Sequence, residues 1–364
     1  MKVLLLSPYD AASHKRWRLG LQQHLTEFDF TMLSLPPRYF DWRMRGNSLT
    51  WAMADDPRLR CEYDLLIATS MTDLSALKGM CPQLSKIPSI AYFHENQFAY
   101  PSRAIQQNLL HDRILNLYTA LAADRVVFNS NYNRKTFLTG VTNLLADMPD
   151  QVPEGITDKL AAASRVIPVP LEKGSFHAGA KADRFTLAWN HRWEYDKGPE
   201  RLLLLVRRLQ SIGIDFNMHL LGQQFRRCPP EMEEVIECLK AAGCLGQCGY
   251  VSDAERYRNL LAESHVVLST ALHEFQGLSV LEAVACGCLP VVPDRLVYQE
   301  IIPAAFRYNS CEDKEAEADS AASKIVAIKQ MADESRLMAA PAVDQFLWGH
   351  LVAEYRQLFT ELAA

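Results

Sequence analysis

Short, uninterrupted apolar runs alternate along this chain with segments whose apolar residues recur every three or four positions. The runs have the length of buried strands, and the periodic segments between them predict amphipathic helices, such as those at 14–25 and 198–212. We predict strands at KVLLLS (2–7), YDLLIATS (63–70), SIAYFHE (89–95), DRVVFNS (124–130), RFTLAWN (184–190), FNMHLLG (216–222), HVVLST (265–270) and CLPVVP (288–293). Apolar strands that alternate with helices indicate α/β domains built on parallel sheets.

The pattern is interrupted once, where the strand-like stretch SRVIPVPLE runs into prolines, and it restarts after a linker. This break predicts two Rossmann-like, doubly wound domains, at 1–172 and 183–340, that face each other across a cleft. Ligands of such folds bind outside the carboxyl ends of the strands. The last segment, 341–364, predicts an amphipathic helix that could pack back across the first domain. We expect surface excursions at 139–163 and 310–340.

The composition is that of an ordinary globular enzyme. Apolar residues make up 49% of the 364 residues and charged residues 22%, and this length favours two domains. No apolar run approaches the roughly 18 residues that span a membrane, and Pro8 and Asp10 end the first run, which predicts a buried strand, not a signal peptide. Nine scattered cysteines indicate reduced, mostly buried thiols in a cytoplasmic protein.

The net charge of −5 is divided unequally between the two halves of the chain. Residues 1–171 carry a small basic excess, and the remainder is acidic. The first half is therefore the better candidate for contact with a polyanion, although the excess is too small for a strong nonspecific nucleic-acid binder.

The stretch HEFQGLSVLEAVACG (273–287) carries two carboxylates eight residues apart. Glu274 lies with His273 and Gly277 in a turn behind a predicted strand, and Glu282 lies about one turn into the following helix. A helix N-terminus favours negative charge, so it can bind a phosphate, and Gly277 permits a close backbone approach. A carboxylate can accept hydrogen bonds from sugar hydroxyls. The alternative is that both carboxylates only complement the helix dipole.

A second stretch, NHRWEYDKGPERL (190–202), places Arg192 and Lys197 in a turn before a helix that begins at Gly198 and Pro199. Two cations beside a helix N-terminus suit a diphosphate, whose charge they would neutralise as it leaves. The alternative is a solvated surface turn. Because both stretches follow strands of one domain, we expect them to face the same ligand.

Polar residues also follow strands of the first domain. His94, Glu95, Asn96 and Gln97 come at the end of an apolar strand, where a polar cluster suits an active site better than a core. His14 lies at the first strand-to-helix turn, beside Ser13, which we expect to cap the helix. Its imidazole can bind a phosphate or a sugar hydroxyl.

The stretch YFDWRMR interleaves Trp42 with Arg43 and Arg45. Aromatic faces and guanidinium groups can stack on a base and hold phosphates, so these residues are candidates for RNA contact. The alternative is a loop that packs on its own domain.

In combination, R-x4-KG and E-x7-E, within EFQGLSVLEAVACG, resemble the donor domain of retaining GT-B glycosyltransferases of the family 4 group, over roughly residues 183–305. The resemblance implies that Arg192 and Lys197 bind the donor diphosphate. It implies that Glu274 contacts the donor sugar and that Glu282 contacts the nucleotide ribose. It also implies neither a metal nor a cofactor beyond the nucleotide-sugar donor, and the sequence has no DxD-like cluster in a suitable loop.

The stretches SPYDAASHKRW, PPRYFDWRMRG and AYFHENQFAYP resemble the tRNA-queuosine mannosyltransferase family. The first loop departs from that family, since Ala-Ala-Ser-His stands where Gly-Gly/Gly-Ser-His is typical. The resemblance implies transfer of mannose, or another hexose, from GDP-mannose to queuosine in a tRNA anticodon, with retention and with His94 near the reacting sugar. The loop 248–252 would flank the nucleobase.

Three other interpretations keep part of this evidence. A GT-B enzyme with a lipid-linked or polysaccharide acceptor would have a membrane-facing basic or apolar helix in the first domain, which HKRWRLGLQQHL matches weakly. A non-catalytic nucleotide-binding or tRNA-binding module would have a broken donor motif, whereas here the motif is intact. An epimerase of the same shape would need acid and base residues around the sugar, for which only His273 and Glu274 are candidates.

Overall fold

The computed structural model describes residues 1–100, 109–177, 179–224 and 228–363. They belong to two compact units. The first unit comprises Met1–Pro170 together with the C-terminal residues from Trp348, and the second unit comprises Leu171–Leu347.

The first unit is built on six parallel strands: β1 (Lys2–Ser7), β2 (Asp29–Ser34), β3 (Leu65–Thr69), β4 (Ser89–Phe93), β5 (Arg125–Phe128) and β6 (Ser164–Val166). Their order in the sheet is β2-β1-β3-β4-β5-β6, so the winding reverses between β1 and β3. Successive residues of β1, from Val3 to Leu6, are fully buried, which means that both faces of the sheet are covered.

The helices of this unit are α1 (Ala12–His24), α2 (Phe40–Met53), α3 (Leu74–Met80), α4 (Leu109–Leu121), α5 (Asn131–Ala146), α6 (Ile156–Ala163) and, at the other end of the chain, α13 (Trp348–Ala363). Ser130 caps α5 by accepting the N–H of Asn133. The expected cap at Ser13 is wrong, because α1 begins at Ala12, two residues earlier than predicted, and Ala11 stands at its N-cap without a side-chain hydrogen bond.

The C-terminal helix α13 packs on α1 at two levels. The indole of Trp348 lies against Gly20, where any side chain would overlap it, and stacks on the ring of His24 at a centroid distance of 4.7 Å. About two turns further on, the hydroxyl of Tyr355 accepts a hydrogen bond of 3.0 Å from Trp17 Nε1. The end of the chain therefore completes the core around the first helix.

The second unit contains another parallel sheet of six strands: β7 (Thr186–Asn190), β8 (Asn217–Leu221), β9 (Leu245–Gly249), β10 (Val266–Leu268), β11 (Leu289–Pro293) and β12 (Arg307–Tyr308). The order is β12-β11-β10-β7-β8-β9, so the winding reverses between β7 and β10. Its helices are α7 (Pro199–Ser211), α8 (Pro230–Ala241), α9 (Ala254–Glu263), α10 (Leu278–Ala285), α11 (Tyr298–Ile301) and α12 (Lys314–Asp333).

Both expected surface excursions are wrong. The stretch 310–340 contains α12, which packs on α7 and buries Glu317, whose carboxylate accepts hydrogen bonds of 2.7 and 2.8 Å from Arg295. The stretch 139–163 contributes Val141 and Leu160 to the core of the first unit. An alanine-rich composition concealed the buried face of α12, because small side chains give a weak hydrophobic pattern.

The predicted fold class, two doubly wound α/β domains, is confirmed. The predicted strands all occur, whereas β2, β9 and β12 were not predicted. All nine cysteines are free thiols, as expected, although only four of them are buried. In the described part of the chain, no helix has the length and apolarity needed to cross a membrane.

Gly20→Ala should destabilise the protein, because its new methyl group would overlap the indole of Trp348. Overpacking of this kind costs about 1–3 kcal/mol of unfolding free energy, which urea denaturation measures. The control is Gly79→Ala on α3, where nothing lies within 4 Å of the new methyl group and alanine is the better helix former. Equal stability of the two variants would contradict the packing of α13 on α1.

Candidate active site

The predicted donor motifs lie together in the second unit, at the point where the winding of its sheet reverses. The loop 191–198 leaves the carboxyl end of β7, and the loop 269–277 leaves the carboxyl end of its neighbour β10. This is where doubly wound sheets bind their ligands. The two stretches approach each other, and that they face the same ligand stays a prediction.

Backbone contacts lock the two loops together. Asp196 accepts backbone hydrogen bonds at its carbonyl from Leu272 (2.8 Å) and His273 (3.1 Å). Gly198 adopts a left-handed conformation with φ of 67°, and a side chain there would overlap the carbonyl of Thr270. The loops therefore hold a fixed spacing before any ligand binds.

Lys197 is the centre of this arrangement. It is buried, and its ammonium donates hydrogen bonds of 2.8 Å to the carbonyl of His273 and 3.2 Å to Glu274 Oε2. Asp196 Oδ2 lies 3.3 Å away. Burial alone would lower the pKa of Lys197, but Glu274 and Asp196 raise it above its ordinary value. The site therefore keeps a permanent cation.

Glu274 closes the N-terminus of α10. Its Oε1 accepts the N–H groups of Gly277 at 3.0 Å and Phe275 at 3.1 Å, while Oε2 faces Lys197. Burial would raise the pKa of Glu274, but Lys197, His191 and the Gly277 N–H lower it to about 2. The carboxylate is ionised at neutral pH.

Gly277 differs in detail from its predicted role. Its N–H is already bound by Glu274, and the left-handed φ of 71° puts a glycine at the N-cap. A side chain would also crowd Tyr298 and Ile301, each 3.2 Å from the position of its Cβ. The anion-binding capacity of this helix end therefore lies in the N–H groups of the first turn, beginning at Leu278.

Arg192 and Glu282 flank this centre. The guanidinium of Arg192 lies 2.9 Å from Glu194, and its side chain is 46% exposed, so it is accessible to a ligand. Glu282 is on α10, where it accepts a hydrogen bond of 3.4 Å from the hydroxyl of Tyr257. That hydroxyl accepts one of 3.1 Å from Asn190.

Two further polar residues before Arg192 were not predicted: Asn190, the last residue of β7, and His191, the first residue of the loop 191–198. Asn190 donates to the carbonyl of Ser279 at 2.7 Å and so fastens β7 to α10. His191 Nδ1 lies 3.3 Å from the Ser279 hydroxyl, and burial, reinforced by Lys197, lowers its pKa to about 4. The signal available in the sequence was their position, directly before Arg192.

His273, also predicted to line the cleft, is buried within the second unit. Its ring contacts Phe275 edge-on at a centroid distance of 4.5 Å, and its Nδ1 lies 4.0 Å from Asp196. Through these contacts, His273 supports the loops next to Glu274.

The other predicted site residues cluster in the first unit, where the winding reverses between β1 and β3. His14 on α1 donates from Nε2 to Glu95 at 3.2 Å, and the other oxygen of Glu95 accepts a hydrogen bond of 3.2 Å from Ser70. Each of these residues follows a different strand: β1, β3 and β4. Adjacent parallel strands thus bring together side chains that lie 81 residues apart.

His94 is held between aromatic rings. Its imidazole stacks on that of His14 at 4.0 Å and contacts Trp17 edge-on at 4.9 Å and Tyr92 at 4.7 Å. Burial, with a smaller contribution from His14, lowers the pKa of His94 well below its ordinary value. His94 is therefore neutral at physiological pH.

Asn96 and Gln97 have structural partners. The Asn96 amide donates to the Asn133 side chain at 2.8 Å and to Thr136 at 3.0 Å, which ties the loop to α5. The Gln97 N–H donates to Asn116 at 2.8 Å. Both residues shape the loop that follows His94.

The candidate RNA-contact residues lie on the helix α2, not in a loop, and some of them pack on their own domain, as the alternative expected. The helix begins behind Tyr39, whose φ is 54°, and Trp42 is 52% exposed. Arg43 donates to the carbonyl of Pro36 at 3.3 Å. Arg45 is committed to Asp112 through hydrogen bonds of 2.9 and 3.1 Å.

An open pocket of about 410 Å³ lies beside this helix in the first unit. Its lining combines aliphatic and aromatic surface with polar groups, and includes Arg45, Asp73, Ser75, His111, Leu115 and Tyr118.

Comparison with known proteins points to two families in succession. A family described as tRNA-queuosine alpha-mannosyltransferase N-terminal matches residues 2–171, and one described as glycosyl transferases group 1 matches residues 172–340. The curated tRNA-queuosine alpha-mannosyltransferase of Drosophila melanogaster is 33% identical over 319 residues, which cover 85% of this chain and 83% of that protein.

Two further matches are more distant. A GDP-mannose-dependent alpha-(1-6)-phosphatidylinositol dimannoside mannosyltransferase of Mycobacterium tuberculosis is 26% identical over 208 residues, 54% of this chain and 52% of that protein. The crystal structure of HepE from Anabaena, in complex with UDP and glucose, superimposes with a TM-score of 0.69 over 100% of both chains at 14% identity. At this identity the likeness shows the fold alone, and it confirms the predicted GT-B class.

The Glu274 carboxylate should make folding depend on acidity. Because its folded-state pKa of about 2 lies below the ordinary 4.5, its stabilisation is complete above pH 4.5 and is lost as the pH falls towards 2. The shift corresponds to roughly 3 kcal/mol. Urea denaturation between pH 7 and 3.5 should show a steeper loss for the wild type than for Glu274→Gln.

The matched control for this titration is Glu200→Gln, an exposed carboxylate on α7, which should follow the wild-type curve. Parallel curves for Glu274→Gln and the wild type would contradict the pairing of Glu274 with Lys197.

Proposed function

The chain belongs to the tRNA-queuosine alpha-mannosyltransferase family, and we propose that it transfers mannose from GDP-mannose to queuosine in a tRNA anticodon. The family membership, expected from the N-terminal stretches, is confirmed by the 33% identity to the Drosophila melanogaster protein. The chain is accordingly a glycosyltransferase. The observation that best supports the proposed reaction is the Lys197–Glu274 pair at the N-terminus of α10. It occurs in a chain that is 33% identical to that enzyme.

The proposed donor site uses charges that the second unit already holds in place. Lys197 is tied to Glu274 and the His273 carbonyl, so it contributes a fixed positive potential. Arg192 is more exposed and can exchange its contact with Glu194 for the diphosphate. The first turn of α10 adds N–H groups to the same anion. Together these groups stabilise the negative charge that grows on the leaving GDP.

Glu274 and Glu282 have separate proposed roles. Glu274 is ionised, and its Oε2 can accept a hydrogen bond from a mannose hydroxyl while Oε1 remains on the helix end. Glu282 is oriented by Tyr257 and would accept hydrogen bonds from the ribose hydroxyls. The Mycobacterium tuberculosis relative is described as GDP-mannose-dependent, which supports the choice of donor.

The first unit would supply the sugar-facing histidine. His94 is neutral, so it can donate or accept a hydrogen bond at a hydroxyl without adding charge. His14 stacks on the His94 ring. Glu95 in turn contacts His14 and so holds it in place. This assigns recognition of the sugar to His94 and support of its ring to the other two.

The proposed reaction retains configuration through a front-face displacement. The bond between mannose C1 and the β-phosphate oxygen breaks, C1 becomes oxocarbenium-like, and a bond forms to the queuosine hydroxyl oxygen on the same face. The hydroxyl proton passes to the departing phosphate oxygen. The charges beside α10 act at the moment when the phosphate accepts the electron pair.

Two features support a tRNA acceptor. The matched N-terminal family is defined by that substrate class, and α2 exposes Trp42 beside Arg43 on the first unit. A tRNA acceptor and free cysteines are consistent with the cytoplasmic location that we propose. The alternative acceptor, lipid-linked or polysaccharide, would fit the dimannoside substrate in the name of the Mycobacterium tuberculosis relative.

Incubation of queuosine-containing tRNA with the purified protein and GDP-mannose should add one hexose to queuosine, detected by mass spectrometry of the nucleosides. Glu274→Ala should reduce the rate by about a hundredfold or more, since it removes both the sugar contact and the partner of a buried cation. UDP-glucose should give far less product than GDP-mannose. A lack of product with every donor, despite GDP binding, would redirect the proposal to another acceptor.

Arg43→Ala and Trp42→Ala should weaken tRNA binding without changing GDP affinity. Loss of one phosphate contact should reduce the slope of log affinity against log salt by about one, and loss of a stacking ring should cost about 1–3 kcal/mol. Fluorescence titration at several salt concentrations measures both effects. Arg60→Ala is the control, because Arg60 is an exposed arginine of the same unit, with 66% of its side chain exposed. Equal behaviour of Arg43→Ala and Arg60→Ala would exclude α2 from the RNA surface.

A further inference from the structure

A buried network of three hydroxyl and indole groups joins the C-terminal helix to β4, the strand directly before His94. The hydroxyl of Tyr355 accepts from Trp17 Nε1 at 3.0 Å and lies 3.1 Å from the hydroxyl of Tyr92 and 2.9 Å from the carbonyl of Pro168. Tyr92 in turn donates to the carbonyl of Ile167 at 2.8 Å. These partners come from four separate parts of the sequence.

The donors and acceptors of this network fix its direction. Trp17 can only donate, and Tyr92 uses its proton on Ile167, so Tyr92 accepts from Tyr355. The single proton of Tyr355 is then shared between Tyr92 and the Pro168 carbonyl. Burial raises the pKa of both tyrosines, which keeps the network uncharged. Tyr355 is thus the member that is hydrogen-bonded to both Trp17 and Tyr92.

The two rings that Tyr355 holds are the rings that contact His94. Trp17 stacks on Tyr92 at a centroid distance of 4.2 Å, and both rings contact the His94 imidazole, at 4.9 and 4.7 Å. Within the described part of the chain, Tyr355 makes neither a hydrogen bond nor a ring contact to His94 itself. An effect of the Tyr355 hydroxyl on His94 therefore passes through these rings.

We propose that Tyr355 is a positioning residue for His94, acting through Trp17 and Tyr92. The C-terminal helix belongs in this way to the sugar-recognition side of the enzyme, although it lies more than 250 residues from His94 in the sequence. The proposal rests on the proposed function of His94. Without the Tyr355 hydroxyl, the Trp17 N–H loses its buried partner, and the indole is free to tilt away from the imidazole.

Tyr355→Phe tests the proposal, because it removes one oxygen and preserves the ring. We expect kcat for mannosyl transfer to fall about tenfold, with the KM for GDP-mannose unchanged within about twofold, because His94 is misplaced and the donor loops are intact. The titration of His94, followed by NMR and assigned by its absence in His94→Asn, should move towards the ordinary pKa of histidine as water gains access. The titratable groups that face this ring are His14, paired with Glu95, and Tyr92.

A double-variant cycle separates positioning from loss of stability. Trp17→Phe removes the donor of the same hydrogen bond, so Trp17→Phe/Tyr355→Phe should lose no more kcat than Trp17→Phe alone. The control is Tyr63→Phe, which also removes a tyrosine hydroxyl bond in the first unit, here to the Arg58 carbonyl at 2.8 Å. It should leave kcat and the His94 titration unchanged.

The proposal is overturned if Tyr355→Phe lowers the melting temperature but leaves both kcat and the His94 titration as in the wild type. Additive losses in the double variant would overturn it as well. Should Tyr355→Phe fail to fold, Trp17→Phe provides the same test from the donor side. If the wild type transfers no mannose, the proposed function fails, while the NMR titration still decides whether Tyr355 positions His94.

Discussion

The second unit depends on one buried ion pair. Lys197 and Glu274 lie on two loops that leave neighbouring strands, and each neutralises a charge that burial would otherwise oppose. Removal of one partner of a buried pair typically costs about 3–5 kcal/mol, because the other charge remains unpaired. The pair therefore fixes the spacing of the loops and holds the Lys197 ammonium in one position beside α10. In the proposed donor complex, the diphosphate would meet charges that need little rearrangement.

The candidate site of the first unit differs from that of the second, because its central group is the neutral histidine His94. Stacking on His14, an edge contact with Trp17 and a tilted contact with Tyr92 orient the imidazole and bury it. Tyr355 secures those rings from the far end of the chain. A charged site and an apolar histidine site thus occur on two sheets of the same type, at the reversal of winding in each.

The sequence predicted most of the features that depend on local patterns of apolar residues. It predicted few of those that depend on contacts between residues far apart in the chain. Continuous apolar runs such as Lys2–Ser7 identified the strands, and their alternation with helices identified the fold. Lys197 and Glu274 were found because their spacing matches a family pattern. Tyr355 and His191 were missed, because a single polar residue on an amphipathic helix or after a strand carries no signal of its partner. Asn96 resembled a ligand-binding residue, yet its amide is bound to α5, which only the tertiary structure reveals.

We propose that Lys197 and Glu274 act together in mannosyl transfer, so that neither functions without the other. The most direct measurement is kcat/KM for Lys197→Met, Glu274→Gln and the double variant, with GDP-mannose and queuosine-containing tRNA. If the pair acts as a unit, the double variant should lose about as much activity as either single variant, because each substitution already disrupts the shared arrangement. If the fold losses in kcat/KM of the two single variants multiply in the double variant, the two residues act independently, which would contradict their joint action.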